Sequence, residues 1–309
     1  MAVWKLHSSK KHRALGYYFS LVRRLINPKG PFKKLYYADL YCGDGKCTIA
    51  ETKVSYLTPT IYSVLRHGGK EGFDVCCFLN DINPENIQKI KINTSEYSGF
   101  IEDYSSKDAN DYYRDVLKKI LSDQFSIIYL DPSNHKELKW DTIKGISEHN
   151  SKYNGNIRRP ELIINFMVYS MLQTINASKA CKSKEAEEKC LSSINESLGT
   201  NEWENRAKKY KEEGYVLYYE LALLYTFIEQ LKKIGYMVPT PIEITSTSKE
   251  NRVYYLIWAV NEAGYSIVEN NMIPSIMSLM EKAQKENKIE VKKIKARKQG
   301  NGDITKYFK

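Results

Sequence analysis

Short apolar runs alternate along the chain with longer stretches that have helical spacing. Mostly apolar runs of strand length occur at 35–40, 75–79, 125–130 and 161–166, and the run at 75–79 is unbroken. Between them, segments such as 111–121 repeat apolar residues three and four positions apart, which is typical of amphipathic helices. Apolar runs without polar alternation indicate strands buried on both faces. The alternation therefore predicts an α/β protein with a mostly parallel sheet.

Further segments complete this pattern. We predict helices at 4–26, at 57–65 (opened by Thr58-Pro59) and at 216–233, and a short third strand at 99–102. The segments 236–244 and 253–260 form a strand pair with a polar connection, which indicates an antiparallel hairpin at the end of the sheet. The charged helical stretch 178–214 is interpreted as an insertion.

The first apolar strand runs into a turn with an acid and two glycines, Asp39-Leu40-Tyr41-Cys42-Gly43-Asp44-Gly45. Glycine adopts positive φ at little cost and lets a ligand approach the backbone. The Asp-x-x-x-Gly-x-Gly pattern is similar to the first motif of S-adenosylmethionine-dependent methyltransferases, and it lacks the third glycine of the dinucleotide fingerprint. We predict that Asp39, Gly43 and Gly45 bind this cofactor; a plain tight turn is the alternative.

The second strand ends in Asn80-Asp81-Ile82-Asn83-Pro84, one βαβ unit after the glycine turn. In such units the acid that closes the second strand reaches ribose hydroxyls, and Asp81 has that position. The alternative for Asp81 is to cap the next helix. In methyltransferase-like folds an acid after the third strand receives the adenine amino group. Both Asp103 and Asp108 are candidates, and we favour Asp108.

The strand 125–130 runs into Asp131-Pro132-Ser133-Asn134-His135. An acid and a proline at this strand end resemble the Asp-Pro-Pro-Tyr element of amino-methyltransferases, which orients the acceptor nitrogen. Ser133 replaces the second proline, and Asn134 replaces the aromatic residue. We predict catalytic roles for Asp131, Pro132 and His135, the last as a base with a pKa near neutral. The alternative for His135 is a solvated loop histidine.

The segment 150–160 is polar and basic, and we expect it to lie over the same sheet edge as these motifs. Lys152, Arg158 and Arg159 are candidate phosphate contacts, and Tyr153 could stack on a base. The alternative is an ordinary surface loop.

Composition narrows the function classes. With 309 residues, 42% of them hydrophobic, the chain can build a sizeable core. No apolar run reaches the ~18 residues of a membrane span, and the polar N-terminus lacks a signal-peptide core. We expect a cytoplasmic protein, with association with chromatin or nucleoid as an option.

The six cysteines include no CxxC pair of the zinc-binding type. Reduced thiols are expected, with a Cys181–Cys190 disulfide as the alternative.

The positive charge is concentrated in a C-terminal tail. The net charge is +10, and residues 281–309 hold ten Lys/Arg against four Asp/Glu, which suggests a polyanionic partner. The alternative is a solubilising tail. Near its end, Ile304, Tyr307 and Phe308 fall on one side of a single 3₁₀ turn. This resembles the PIP box, which docks on the sliding clamp PCNA, with Asn301 in place of the usual Gln. Docking on the protein's own body is the alternative.

Several short pieces, in order, resemble the three-Cys-motif partner protein (TcmP) family over most of residues 4–260. They are Trp4 with His7, Lys11 and His12; the turn 39–45; Thr58-Pro59; Asp131-Pro132; 162–166 with Asn165; Gly199-Thr200 with Trp203; and 254–257. The resemblance implies a methyltransferase architecture, whereas the activity of the family is largely unassigned. This chain departs from the family at Tyr41, Cys42 and Asp44, and its second strand ends in Asn80-Asp81 rather than in Glu.

Together these features predict a Rossmann-like methyltransferase fold, with a mostly parallel seven-stranded sheet, a terminal antiparallel hairpin and a helical insertion. The predicted division is an N-terminal helix (1–30), an α/β domain (31–280, with the insertion at about 176–215) and the basic tail (281–309). The predicted function is methylation of a nucleic acid with S-adenosylmethionine, with PCNA recruiting the protein through its tail. One alternative is a nuclease in which Asp39, Asp81 and Asp131 share a Mg²⁺ ion. Another is a non-catalytic DNA-bound clamp adaptor.

Overall fold

The computed structural model describes residues 3–4, 6–26, 32–49, 55–57, 61, 64–65, 74–121, 124–153, 156–245, 252–275 and 277–278. The strands are β1 (Val3–Trp4), β2 (Lys34–Asp39), β3 (Lys46–Ile49), β4 (Ser55–Leu57), β5 (Asp74–Asn80), β6 (Ile101–Ser105), β7 (Phe125–Leu130), β8 (Ser151–Tyr153), β9 (Asn156–Arg158), β10 (Glu161–Phe166), β11 (Ile242–Thr245) and β12 (Arg252–Ala259). The helices are α1 (Leu6–Leu25), α2 (Pro84–Asn93), α3 (Ala109–Lys119), α4 (Trp140–Glu148), α5 (Val168–Ser178), α6 (Lys184–Leu198), α7 (Glu202–Glu212), α8 (Tyr218–Lys233) and α9 (Glu262–Ile267).

In the described part of the chain, seven strands form the main sheet in the order β11-β12-β10-β7-β2-β5-β6. Each pairing among β10, β7, β2, β5 and β6 is parallel, whereas β12 runs antiparallel to both β10 and β11. Along the chain, the sheet begins with β2 at its centre, continues with β5 and β6 on one side, and is completed by β7, β10, β11 and β12 on the other side. This is the predicted Rossmann-like methyltransferase fold with its terminal hairpin, and the prediction is confirmed.

The apolar strands bury both faces of the sheet. Alternate residues of β2 divide between the two sides, with Leu35 and Tyr37 in one core cluster and Tyr36 and Ala38 in the other. The first cluster packs against α1 and α2, and the second packs against α3, α4, α5 and α8. Helices therefore cover both faces, which leaves the strand ends as the place for a ligand.

The helical insertion lies between α5 and α8 and consists of α6 and α7. It is anchored by buried apolar side chains, among them Ile194, Leu198 and Trp203. Gly199 ends α6 with a φ of 69°, and a Cβ there would lie 2.1 Å from the Trp140 ring. The insertion is thus packed onto the α/β body rather than separate from it.

Some predicted element bounds are wrong. Trp4 lies in β1, which pairs with β3, so the first helix begins at Leu6. Leu57 lies in β4 rather than in a helix, although Ile61 has helical backbone. The third strand starts at residue 101, so Asp103 lies inside β6 and does not come after it. Thr58 and Pro59 lie outside the described residues.

No helix in the described ranges combines the length and the apolar character that a membrane crossing requires.

Candidate active site

Three acids lie at one edge of the sheet because neighbouring parallel strands end there in register. Asp39 closes β2 and pairs with Leu79 of β5 and Tyr129 of β7. Asp81 and Asp131 each lie two residues after those partners, so the three carboxylates share the carboxyl edge. The strands β5 and β6 lie on one side of β2, whereas β7 and the later strands lie on the other side, so the strand order reverses between β2 and β7. Ligands of open α/β sheets bind at such a position.

The turn after β2 is held in place by the end of β5. The Gly43 amide donates to Oδ2 of Asp81 at 3.1 Å. Asn80 is fully buried, and its Nδ2 donates to the carbonyls of Leu40 and Lys107 at 3.0 Å each. These bonds tie together the loops after three adjacent strands. The turn is therefore preorganised by residues from outside its own segment.

Both glycines of this turn adopt positive φ, 59° at Gly43 and 69° at Gly45. A Cβ at Gly45 would lie 2.7 Å from Cγ1 of Ile90, so packing against α2 also requires glycine there. A Cβ at Gly43 would meet no heavy atom within 4 Å among the described residues. The space above Gly43 is therefore open to a ligand that approaches the backbone.

Asp39 is a buried carboxylate with neutral donors around it. Its Oδ1 accepts a hydrogen bond from the Tyr41 amide at 3.1 Å, and its Oδ2 accepts one from the Tyr37 hydroxyl at 3.5 Å. Burial, and then the negative charge of Asp131, raise the pKa of Asp39 to about 8. A cationic ligand group would stabilise the ionised form, so Asp39 is suited to binding an ammonium group.

Asp81 organises the loop between β5 and α2. Its Oδ1 accepts from the Asn83 amide at 2.8 Å and from Nδ2 of Asn86 at 3.0 Å. The residue that caps α2 is Asn83, so the capping alternative for Asp81 is wrong. Ile82, the next residue, exposes 71% of its surface at this edge. An apolar side chain beside the acid provides a surface on which a flat ring could pack.

Of the two later acids, Asp108 lies beyond the end of β6 and Asp103 lies within that strand. Asp108 is exposed and caps α3 by accepting from the Asn110 amide at 2.8 Å. Asp103 accepts from the Tyr112 hydroxyl at 3.0 Å. Asp108 is therefore the acid nearer to the carboxyl edge, and its contact with adenine stays a prediction.

Asp131 is the centre of a polar cluster that joins four elements. Its Oδ2 accepts from Nζ of Lys11 at 2.5 Å and from the Tyr129 hydroxyl at 3.0 Å. Its Oδ1 accepts from Nδ2 of Asn165. The Lys11 ammonium also lies 5.9 Å and 5.8 Å from the ring centroids of Tyr129 and Tyr254. The Lys11 side chain is only 9% exposed and that of Asp131 is 26% exposed, so the carboxylate is the more accessible partner.

Asn165 presents a buried acceptor beside this cluster. Its Oδ1 has no hydrogen-bond partner among the described residues, whereas its Nδ2 is bonded to Asp131. A narrow pocket opens here, lined by Pro132, His135, Leu138, Ile164, Asn165, Phe166, Met167, Met171, Ser197 and Phe227. A buried amide oxygen without a partner is costly unless a ligand or water satisfies it. Asn165 is therefore a candidate for binding an amino group.

His135 does not have the position expected of a base. Its ring is 3% exposed, with Nδ1 2.8 Å from Oγ of Ser170 and Nε2 3.1 Å from Oγ of Ser193. Ser197 donates to the His135 carbonyl at 2.6 Å. Burial, and then Lys136, lower the pKa of His135 to about 4. These contacts connect the loop after β7 to the insertion, and they do not support the predicted catalytic role.

The segment 150–160 lies at the opposite edge of the sheet, so that expectation is wrong. It contains Lys152 and Tyr153 in β8, and it precedes β10, whereas the acids come after their strands. The Arg158 guanidinium lies 4.6 Å from the ring centroid of Phe32, which comes before β2. Arg159 donates to the Gly235 carbonyl at 3.2 Å. Any nucleic acid bound by this segment would lie a full strand length, roughly 17–20 Å, from the acids.

Other predicted residues lie outside the described part of the chain. The side chains of His7 and His12 are among them, and so is the whole tail with Asn301, Ile304, Tyr307 and Phe308.

The magnesium alternative gains no support. Within the described residues, no group of three or more His, Cys, Asp or Glu side chains is arranged to hold a metal ion. The cation beside Asp131 is instead the ammonium of Lys11.

No protein-family model matches this sequence, and no curated protein matches it. Among solved structures, the chain is similar to a Legionella pneumophila protein of the DUF519 family model, with a TM-score of 0.53 and 11% sequence identity; the match covers 91% of this chain and 92% of that one. This likeness shows a shared fold.

Two further solved structures match at lower TM-scores. One is Aeropyrum pernix fibrillarin with natively bound S-adenosylmethionine, at a TM-score of 0.37 and 10% identity over 80% of this chain and 76% of that one. The other is precorrin-6y C5,15-methyltransferase from Geobacter metallireducens, at 0.37 and 12% identity over 81% and 87%. The resemblance to the TcmP family stays a prediction.

Proposed function

We propose that this chain is an S-adenosylmethionine-dependent methyltransferase that acts on an amino nitrogen of a nucleic acid base. One observation carries the proposal: a row of side chains lies along the carboxyl edge, with Asp39, Gly43 and Asp81 on one side and Asp131 with Asn165 on the other. Such a row can hold a cofactor and an acceptor side by side.

The first half of the row fits the polar ends of the cofactor. Asp39 would bind the ammonium group, and the open space over Gly43 would admit the methionine part. Each carboxylate oxygen accepts about two hydrogen bonds, so Oδ2 of Asp81, which accepts one from Gly43, retains capacity for one ribose hydroxyl. Ile82 would pack on the adenine ring, and Asp108 would accept from its amino group. When bound, the cofactor supplies an electrophilic methyl group on a sulfonium sulfur.

The second half of the row is suited to an amino group. Oδ1 of Asn165 and the accessible carboxylate of Asp131 are acceptors for its two N–H groups, which would turn the nitrogen lone pair towards the cofactor. Lys11 and Tyr129 hold the carboxylate of Asp131 in one orientation. Alignment of this kind supplies most of the catalysis in a displacement that needs little proton transfer.

Aromatic and basic side chains near the same edge support a nucleic acid substrate. Glu220, near the start of α8, accepts from the Tyr255 hydroxyl at 2.5 Å, and Tyr255 pairs with Phe166, the last residue of β10. The rings of Tyr218 and Tyr219 are therefore on the side of the carboxyl edge. Their centroids lie 4.5 Å apart. Tyrosine faces with adjacent lysines, such as Lys179 at 4.9 Å from Tyr219, are typical of surfaces that stack bases.

Cofactor binding and methyl transfer test the proposal separately. We expect titration calorimetry to detect S-adenosylmethionine binding to the wild type and to Asp131→Ala, and not to Asp39→Asn. Transfer of labelled methyl groups to DNA or RNA should be lost in Asp131→Ala. No binding at millimolar cofactor would exclude the proposal. Binding without transfer to any nucleic acid would favour a non-catalytic adaptor.

We further propose that the tail recruits the protein to the sliding clamp PCNA through Asn301, Ile304, Tyr307 and Phe308. Tethering raises the effective concentration of the enzyme at DNA without new contacts in the active site. The double variant Tyr307→Ala/Phe308→Ala should no longer co-elute with the clamp, while its cofactor affinity is unchanged. Undiminished co-elution would refute this role for the tail.

A further inference from the structure

Two cysteines of the insertion lie close together. Cys181 comes after the end of α5, Cys190 lies in α6, and their Sγ atoms are 3.8 Å apart. Both thiols are partly exposed, whereas the other free cysteines of the described residues, Cys42, Cys76 and Cys77, are buried. An oxidant in solution can therefore reach this pair before the others.

The pair is a dithiol whose two sulfur atoms already lie near each other. Nine positions separate the two residues, so a bond between them closes only a short loop at the entry of α6. Burial, and then the hydrogen bond with Cys190, raise the pKa of the Cys181 thiol. The thiolate is the reactive form, so the pair should react faster as the pH rises.

We propose that Cys181 and Cys190 form a redox modification site that closes to an intrachain disulfide when a peroxide oxidises it. One thiolate attacks a peroxide oxygen, the O–O bond breaks, and a sulfenic acid and water result. The second thiolate attacks the sulfenic sulfur, an S–S bond forms, and the hydroxide leaves as water. Two thiols and one hydrogen peroxide become one disulfide and two waters, and two electrons pass from sulfur to oxygen.

The disulfide would act on the part of α6 that contacts the loop after β7. The Cys190 carbonyl accepts from Oγ of Ser193 at 3.0 Å, and the same Oγ lies 3.1 Å from Nε2 of His135. His135 belongs to the loop that begins at Asp131. Oxidation should therefore stabilise the packing of α6 against this loop.

Intact-mass and thermal measurements on the full chain test this inference independently of any methyltransferase activity. With hydrogen peroxide, the wild type should lose about 2 Da, and peptide mapping should join Cys181 to Cys190. The Tm should rise by about 2–4 °C and return on addition of dithiothreitol.

Cys181→Ser provides the control, because it retains a polar group of similar size and cannot form the bond. It should show neither the mass loss nor the rise in Tm. Oxidation of the wild type to sulfinic acid at either cysteine without a disulfide, or a disulfide between two chains, would overturn the proposal.

Discussion

Among single residues, Asp39 couples the site to pH. Its pKa is raised from 3.8 to about 8 in the folded protein, so between these values the folded chain holds a proton that the unfolded chain has lost. Its contribution to stability is therefore complete below pH 3.8 and is lost as the pH rises towards 8. The asparagine of Asp39→Asn does not titrate, so the free energy of unfolding of this variant at pH 8 should exceed that of the wild type by about 1–3 kcal/mol. Urea unfolding should show this difference shrinking towards pH 5; a constant difference would contradict the assignment.

Lys11 is the residue that tests the acceptor side of the proposed site. Lys11→Met keeps the length of the side chain and removes the charge that orients Asp131. We expect about a 100-fold loss in kcat, with cofactor affinity within about twofold of the wild type. Lys11→Arg should recover part of the rate, and Lys89→Met, an exposed lysine on α2, should have no effect. An equal loss in cofactor affinity would contradict a role at the acceptor.

The residues on the cofactor side of the proposed site could be predicted from the sequence more easily than those on the acceptor side. Asp39 and Asp81 end apolar strands of one βαβ unit, so their common edge can be inferred from the pattern alone. Lys11 and Asp131 lie 120 positions apart, and no local pattern indicates that α1 would bring an ammonium to the end of β7. Asn165 was named only through a family resemblance, although a polar residue near the end of an apolar strand was a usable signal.

Among the elements, the glycine turn allows a matched comparison. Gly43 and Gly214 both have positive φ, 59° and 83°, with nothing within 4 Å of an added Cβ. Alanine at either position should cost about 1–2 kcal/mol of stability from backbone strain alone. Only Gly43→Ala should also weaken cofactor binding, by at least about tenfold, because its methyl group would enter the proposed site. Calorimetry on the two variants separates these effects, and equal affinities would place the cofactor elsewhere.

His135, in the loop after β7, contributes to stability with a pH dependence opposite to that of Asp39. The pKa of His135 is lowered from 6.5 to about 4, so the folded chain binds fewer protons than the unfolded chain in that window. Its contribution to stability is present above pH 6.5 and is lost as the pH falls towards 4. His135→Asn should be less stable than the wild type at pH 7, because the bonds to serine are impaired, and the difference should narrow at pH 5. Thermal unfolding at the two pH values measures this.

Element prediction succeeded where burial decided the structure. The bounds of β7 and β10 are those of the apolar runs. It failed where tertiary pairing decided, as at Trp4, which joins a small sheet with β3, and at Leu57 in β4. The position of 150–160 was also missed, because the polar composition of a loop does not by itself indicate the sheet edge on which the loop lies. A loop that enters a parallel strand must lie at the edge opposite to the loop that leaves it, and that rule would have corrected the error.

For the whole molecule, the charge distribution gives the last prediction. The tail holds ten Lys/Arg against four Asp/Glu. Removing 281–309 should leave the cofactor affinity unchanged, because the proposed cofactor-binding residues lie between positions 39 and 108. Each phosphate contact contributes about −0.9 to the slope of log K against log[salt] on duplex DNA, so we expect the slope to become shallower by at least about 2.

Two full-length variants separate charge from clamp docking in this prediction. Lys292→Gln/Lys293→Gln/Lys295→Gln should reduce the salt slope and still co-elute with the clamp, because the terminal residues are intact. Tyr307→Ala/Phe308→Ala should lose the clamp and keep the salt slope, because no charge has changed. Fluorescence anisotropy with a labelled oligonucleotide over a salt series measures both slopes. An unchanged slope in the lysine variant would mean that the nucleic acid contacts lie on the α/β body, where the tyrosines of α8 are the first residues to substitute.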